Sequence, residues 1–354
     1  MKKYLPIALA LCLAPCLALM LAACGNTYAS TAQKGAAPGG AAYAATPPAG
    51  TVSAEKISVV ATIFPPYDFA RAITGGKADV AMLLPPAAES HSFEPGPQDI
   101  IKIQNCGVFI YNGGDSDAWV DEVLESVDTS NIKIVKLIDC VEVVEEEIVE
   151  GMEDGEEEEE EEEEKEESEE PVEGDEEGPE YDEHVWTSPR NAKLIVRNIS
   201  DTLCGADPAN AAAYKANAAA YSAKLDELDA KFRAVVDNAA RRTIVFGDRF
   251  PFRYFADAYG LKYFAAFPGC STETEAGAAT VAFLIDKVKA EKIPVVFHIE
   301  LSNAKMANTI AEGTGAKVLE LHACHNISKS DFEAGRTYID IMTANVDALR
   351  EALQ

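Results

Sequence analysis

The sequence predicts an α/β protein with two lobes, each a mostly parallel sheet with flanking helices, joined by one long helix. Short β-branched runs alternate with helical patterns in both halves of the chain, which is typical of parallel sheets. Between the halves, apolar residues recur at helical spacing along a single stripe. Because ligands of open α/β sheets bind beyond the carboxyl ends of the strands, we expect a cleft between the lobes.

The amino-terminal lobe is predicted over residues 56–206. Its strands are expected at 57–63, 80–84, 108–111 and 132–137, with helices near 67–74 and 119–127. A linking helix is predicted over 207–240, since Asp207 precedes Pro208 in the pattern of a helix start. Its stripe consists of Tyr214, Tyr221, Leu225, Leu228, Phe232 and Val235.

The carboxy-terminal lobe is predicted over residues 241–354. Strands are expected at 243–246, 261–267, 295–299 and 318–321, with helices near 278–290, 304–312 and 331–353. This repeats the alternation of the first lobe and supplies the second wall of the cleft.

The amino terminus predicts export and a lipid anchor. Residues 1–23 read as a signal peptide, with Lys2 and Lys3 ahead of an apolar run. Small residues immediately before Cys24 match a bacterial lipobox, so Cys24 is the expected lipidated residue. Residues 24–55, rich in Gly, Ala, Thr and Pro, are expected to form a flexible tether. We therefore expect a membrane-anchored protein on the extracytoplasmic face.

The charge is concentrated in one segment. Residues 142–183 contain 27 of the 60 acidic residues and a single lysine, so most of the net charge of −30 lies there. We expect a disordered acidic loop, and this charge argues against nucleic-acid binding. The loop either concentrates cations beside the cleft or serves solubility alone.

Five cysteines remain beyond the anchor, and an oxidising compartment favours disulfides among them. The predicted pairs are Cys106 with Cys140 and Cys270 with Cys324, since each pair lies inside one lobe. Cys204, on an apolar helical pattern, is the expected buried thiol.

Three of the five histidines lie where loops or strand ends could deliver them to the cleft: His91, His184 and His322. Imidazole is a favoured ligand of Zn²⁺. His298 falls within a predicted strand and is expected to be structural, and His325 is given no role.

The chain resembles the metal-specific solute-binding proteins of bacterial zinc and manganese ABC transporters, the cluster A-I type. The resemblance extends from residue 59 to the carboxy terminus. It depends on the order and spacing of TIFPPYD (62–68), HSFEP (91–95), YNGG (111–114), HVWTSPRNA (184–192), YFA with YGL (254–261) and FHIE (297–300).

The resemblance implies a receptor, not an enzyme, that binds Zn²⁺, or Mn²⁺ as the alternative, and works as a monomer with an ABC permease. It implies His91 and His184 as ligands. At a third ligand position stands Arg249, which cannot donate to a metal, so Asp248 or water is expected there, with Arg249 turned toward an acid such as Glu300. His322 occupies the position of a fourth ligand, usually Asp, and the expected set is three histidines and one carboxylate.

Two other functions remain possible from the sequence. An extracellular metallohydrolase with Glu300 as base would be expected to carry two histidines in an H-E-x-x-H helix, which the sequence lacks. A surface adhesin is consistent with the anchor but has no further support.

Overall fold

The computed structural model describes residues 56–152, 180–271 and 276–354. These residues belong to one compact unit. The predicted signal peptide, Cys24, the tether and the middle of the acidic loop lie outside the described residues.

The first sheet contains four parallel strands in the order β2-β1-β3-β4. Its helices begin and end at residues suited to those positions: α1 has proline in its first turn and ends at Gly75 with a left-handed φ of 55°. The elements are β1 (Ser58–Ala61), α1 (Phe64–Thr74), β2 (Asp79–Met82), α2 (Pro97–Gln104), β3 (Val108–Tyr111), α3 (Trp119–Ser126) and β4 (Lys133–Lys136).

Two long helices follow, α4 (Pro189–Ala206) and α5 (Ala211–Asp237). The predicted stripe on α5 is buried as expected. Helix α5 begins at Ala211, four residues after the predicted start at 207, because Asp207 accepts hydrogen bonds from Asn210 and Tyr214 and closes a turn between the helices. At 1.5 Å per residue α5 is about 40 Å long, and it packs against α1, α4 and the last helix.

The second sheet is also parallel, in the order β10-β9-β5-β7, beside a two-residue ribbon of β6 and β8. The predicted strand 261–267 is therefore two strands, and the predicted helix 331–353 breaks at Gly335, whose φ is 72°. The elements are β5 (Thr243–Phe246), β6 (Arg249–Phe250), α6 (Arg253–Tyr259), β7 (Lys262–Phe264), β8 (Phe267–Pro268), α7 (Ala278–Glu291), β9 (Val295–His298), α8 (Lys305–Thr314), β10 (Lys317–Glu320), α9 (Lys329–Glu333) and α10 (Tyr338–Leu353).

One apolar core connects both sheets through α5. It contains Val59 of the first sheet, Phe232 of α5 and Phe297 of the second sheet, all fully buried. Burial of this shared surface is the main force that holds the lobes together. In the described part of the chain, none of the helices combines the length and apolar character needed to cross a bilayer.

The cysteine predictions are wrong in this structure, where all five described cysteines are free thiols. Cys106 precedes β3 and Cys140 follows β4, and these strands run parallel with Val108 beside Lys133, so the two thiols lie at opposite ends of the sheet. Cys324 is fully buried in the shared core, whereas Cys270 lies beside Glu146. Cys204 is only half-buried, and its thiol donates to the carbonyl of Ala211.

Candidate metal centre

Three histidine rings meet at the carboxyl ends of the strands. One nitrogen from each of His91, His184 and His325 lies within 4.8 Å of the other two. His91 is on the loop after β2, His184 follows the acidic segment, and His325 is on the loop after β10. The three donors thus come from three separate segments of the chain.

A side-chain hydrogen bond to the backbone holds the segments that carry His184 and His325 against each other. His184 precedes a short turn, Val185–Thr187, and its carbonyl accepts a hydrogen bond from the Thr187 hydroxyl. Trp186 of this turn donates its indole N–H to the carbonyl of Ala323 at 2.7 Å.

Each ring is oriented by a hydrogen bond at its Nδ1 atom. His91 Nδ1 lies 2.8 Å from the Ser116 hydroxyl. His184 Nδ1 lies 3.0 Å from Asp182, and His325 Nδ1 lies 3.1 Å from Glu300. All three Nε2 atoms are buried, and among the described residues they have no hydrogen-bond partner. Buried polar atoms without a partner are costly and rare, so these nitrogens point to a ligand.

The surroundings of the rings favour the neutral form of His91 and His325 and the protonated form of His184. Burial is the largest cause that lowers the pKa of His91 and of His325. Burial also acts to lower the pKa of His184, but the neighbouring carboxylates, Asp182 foremost, outweigh it and raise that pKa. For Glu300 burial alone would raise the pKa; the nearby His322 and His325 and the backbone N–H of Ala323 hold it well below its usual range.

The structure brings His91 and His184 together as expected but places neither His322 nor Asp248 in this group. His322 Nδ1 accepts the backbone N–H of Cys324 at 3.0 Å and so stabilises the turn after β10. Cys324 then adopts a left-handed φ of 68°, and it is the next residue, His325, that reaches the other rings. Asp248 accepts the backbone N–H groups of Arg249 and Ile299.

Arg249 pairs with Glu89 and not with Glu300. Its guanidinium donates to the Ser271 carbonyl at 3.0 Å and lies 3.4 Å from the Glu89 carboxylate. Glu89 in turn lies two residues before His91 and accepts that residue's backbone N–H at 3.4 Å. The pair therefore connects β6 to the loop that carries His91.

Backbone hydrogen bonds join the two ends of the acidic segment to each other. Glu146 N–H donates to the Glu180 carbonyl and Asp182 N–H to the Val144 carbonyl, each at 3.0 Å. Glu146, Glu180 and the Cys270 thiol form a second, more exposed group of potential ligand atoms. The acidic segment thus begins and ends next to the residues that support His184.

Sequence reasoning missed His325. The available signal was its place five residues beyond the end of β10, the same strand end that suggested His322. Sequence spacing could not show which of the two histidines the left-handed turn at Cys324 would direct into the cleft.

Three imidazole nitrogens around one point form a donor set suited to a divalent transition metal, above all Zn²⁺. A carboxylate at the opposite ring nitrogen, as at His184 and His325, is a usual support of histidine ligands.

The comparisons with known proteins agree with this donor chemistry. Residues 59–352 match the family described as ZnuA, zinc-uptake complex component A, periplasmic. The chain is 32% identical over 349 residues to the high-affinity zinc uptake system protein ZnuA of Bacillus subtilis, covering 95% of this chain and 94% of that one. It is 31% identical to the zinc-binding protein AdcA of Streptococcus pyogenes over 83% of this chain, but spans only 56% of that longer protein.

Solved structures show the same fold. The Zn(II)-bound ZnuA-like domain of Streptococcus pneumoniae AdcA matches with a TM-score of 0.67 and 28% identity, over 84% of this chain and 99% of that one. The metal-dependent lipoprotein YcdH of Bacillus subtilis matches with a TM-score of 0.68 and 30% identity, over 84% of this chain and 99% of that one.

Proposed function

Because the chain belongs to the family of zinc-uptake complex component A, we propose that it is a receptor that captures Zn²⁺ outside the cytoplasm and delivers it to an ABC-type importer. The metal is the cargo of this protein. The matched region includes every residue of the three-histidine group.

The observation that carries the proposal is the set of three buried Nε2 atoms without hydrogen-bond partners among the described residues. The opposite nitrogen of each ring is held by Ser116, Asp182 or Glu300. Zinc takes four ligands in a tetrahedron, and three nitrogens leave one position for water or a carboxylate. Manganese prefers oxygen-rich, higher coordination, so this donor set favours zinc.

The site also suits a receptor that must release its cargo. His91 and its support Ser116 follow strands of the first sheet, and His325 and its support Glu300 follow strands of the second. A relative movement of the two sheets would therefore separate the ligands. Anchoring through Cys24 belongs to the same proposal; a relative, AdcA of Streptococcus pneumoniae, is described as a zinc-binding lipoprotein.

The test is thermal unfolding of the chelator-stripped mature protein with and without stoichiometric Zn²⁺. A ligand bound only by the folded state raises the melting temperature. We expect the rise in wild type and its loss in the double variant His91→Ala, His184→Ala. His298→Ala is the matched control, because the ring nitrogen of His298 lies against the Ile299 carbonyl, outside the three-histidine group. An unchanged melting temperature of wild type with zinc would contradict the proposal.

A further inference from the structure

We propose that Ser116 and Glu183 are positioning residues that determine which ring nitrogen of His91 faces the metal. This inference depends on the proposed zinc-receptor function and adds two residues to it. Neither residue contacts the metal; both act through His91.

Three groups are connected by short hydrogen bonds. The Ser116 hydroxyl lies 2.8 Å from His91 Nδ1, and the Ser116 backbone N–H donates to Glu183 Oε1 at 2.7 Å. Ser116 thus contacts the imidazole of His91 through its side chain and the carboxylate of Glu183 through its backbone N–H.

The buried Nε2 atom decides the direction of the bond at Nδ1. A hydroxyl can accept as well as donate, so Ser116 accepts the proton of His91 Nδ1, and the lone pair of Nε2 stays free for a ligand. In the opposite tautomer, a buried Nε2–H would have no acceptor among the described residues.

The backbone next to Glu183 leaves room for its side chain. Gly114 has a φ of 87°, and a β-carbon there would lie 2.4 Å from Glu183 Oε1, so only glycine leaves room for the carboxylate. The Asn112 side chain donates to the Glu183 carbonyl at 3.0 Å. Asp182, the residue before Glu183, forms a hydrogen bond with the ring of His184 directly. Two consecutive acids therefore orient two ligands that come from different parts of the chain.

Two measurements on the full mature protein test this role. The first is ¹⁵N NMR of the metal-free protein, which reports the tautomer of His91. The second is a zinc competition titration against a chromophoric chelator. The variants are Ser116→Ala, which removes the hydroxyl, and Ser116→Thr, which keeps it. Ser92→Ala is the matched control, because Ser92 is exposed and close to His91 in the sequence.

We expect wild type, Ser116→Thr and Ser92→Ala to show the Nδ1–H tautomer and equal zinc affinity. Ser116→Ala should show a mixture of tautomers and bind zinc about 10- to 100-fold more weakly, as is typical when a histidine ligand loses its outer hydrogen-bonding partner. Wild-type affinity in Ser116→Ala, or an unchanged tautomer, would overturn the inference. Absence of zinc binding in wild type would instead overturn the proposed function.

Discussion

The indole N–H of Trp186 donates to the carbonyl of Ala323 at 2.7 Å, and both residues are buried. Trp186 lies two residues after His184, and Ala323 lies two residues before His325. One hydrogen bond therefore sets the spacing of two candidate ligands separated by 141 positions in the numbering. The geometry of the site depends on such contacts between segments, and the following predictions test them.

Replacing His325 by alanine should weaken zinc binding by more than the roughly 100-fold upper range for losing an outer hydrogen-bonding partner, because a ligand is removed. His322→Ala is the matched variant. It should leave zinc affinity within a few-fold but lower the melting temperature, since His322 Nδ1 accepts the Cys324 backbone N–H. Competition titrations and thermal unfolding measure both effects. Strong loss of zinc binding in His322→Ala but not in His325→Ala would instead support the ligand set expected from the sequence, which contains His322.

Arg249 places a fixed positive charge next to the site, paired with the half-exposed Glu89. Replacing Arg249 by glutamine should tighten zinc binding by about tenfold, which is about 1.4 kcal/mol, because a cation that repels the metal is removed. Arg249→His should tighten it further by offering a fourth imidazole. The gain for glutamine should shrink at high salt. If Arg249→Gln binds zinc more weakly, the pair with Glu89 serves mainly to hold the His91 loop.

Zinc binding should release about one proton near neutral pH, because a ligating imidazole must be neutral. That proton comes from His184. Burial acts to lower the pKa of His184, but the neighbouring carboxylates outweigh it and raise that pKa, whereas the pKa values of His91 and His325 are lowered. Zinc affinity should therefore fall as the pH falls through the raised pKa of His184.

Asp182→Asn is the matched variant for this prediction. The amide oxygen can still accept from His184 Nδ1, but the charge that raises the pKa is gone. Calorimetry in buffers of different ionisation enthalpy should show fewer protons released and a pH dependence displaced to lower pH. Equal proton release in both proteins would assign the proton to another group.

Deleting residues 153–179, the part of the acidic loop outside the described residues, should leave the equilibrium zinc affinity within a few-fold. This deletion keeps the residues whose backbone hydrogen bonds join the two ends of the segment, among them Glu146 and Glu180. The rate of zinc capture should fall at low salt and match wild type at high salt, since the effect is a screened attraction. Stopped-flow measurements at both salt concentrations test this. A large loss of equilibrium affinity would mean that the deleted segment supplies a ligand.

The α/β class, the two parallel sheets and α5 could be predicted from the sequence, because they follow from local periodicity. Strand 243–246 and the buried stripe on α5 coincide with the structure, since each needs only a continuous apolar pattern. His91 and His184 lie within motifs of fixed order and spacing, and the structure places their rings in one group; their role as zinc ligands stays a prediction. The family resemblance, also visible in the sequence, is confirmed by the match over residues 59–352.

The tertiary structure alone decided which third histidine joins His91 and His184, and it decided the state of the cysteines. Whether His322 or His325 enters the cleft depends on one left-handed residue, Cys324, and on Asn345 of α10, whose side chain bonds the His322 backbone. The separation of Cys106 from Cys140 follows from the parallel register of β3 and β4. Such outcomes depend on a single φ angle or on the direction of a strand, and residue spacing along the chain carries no information about either.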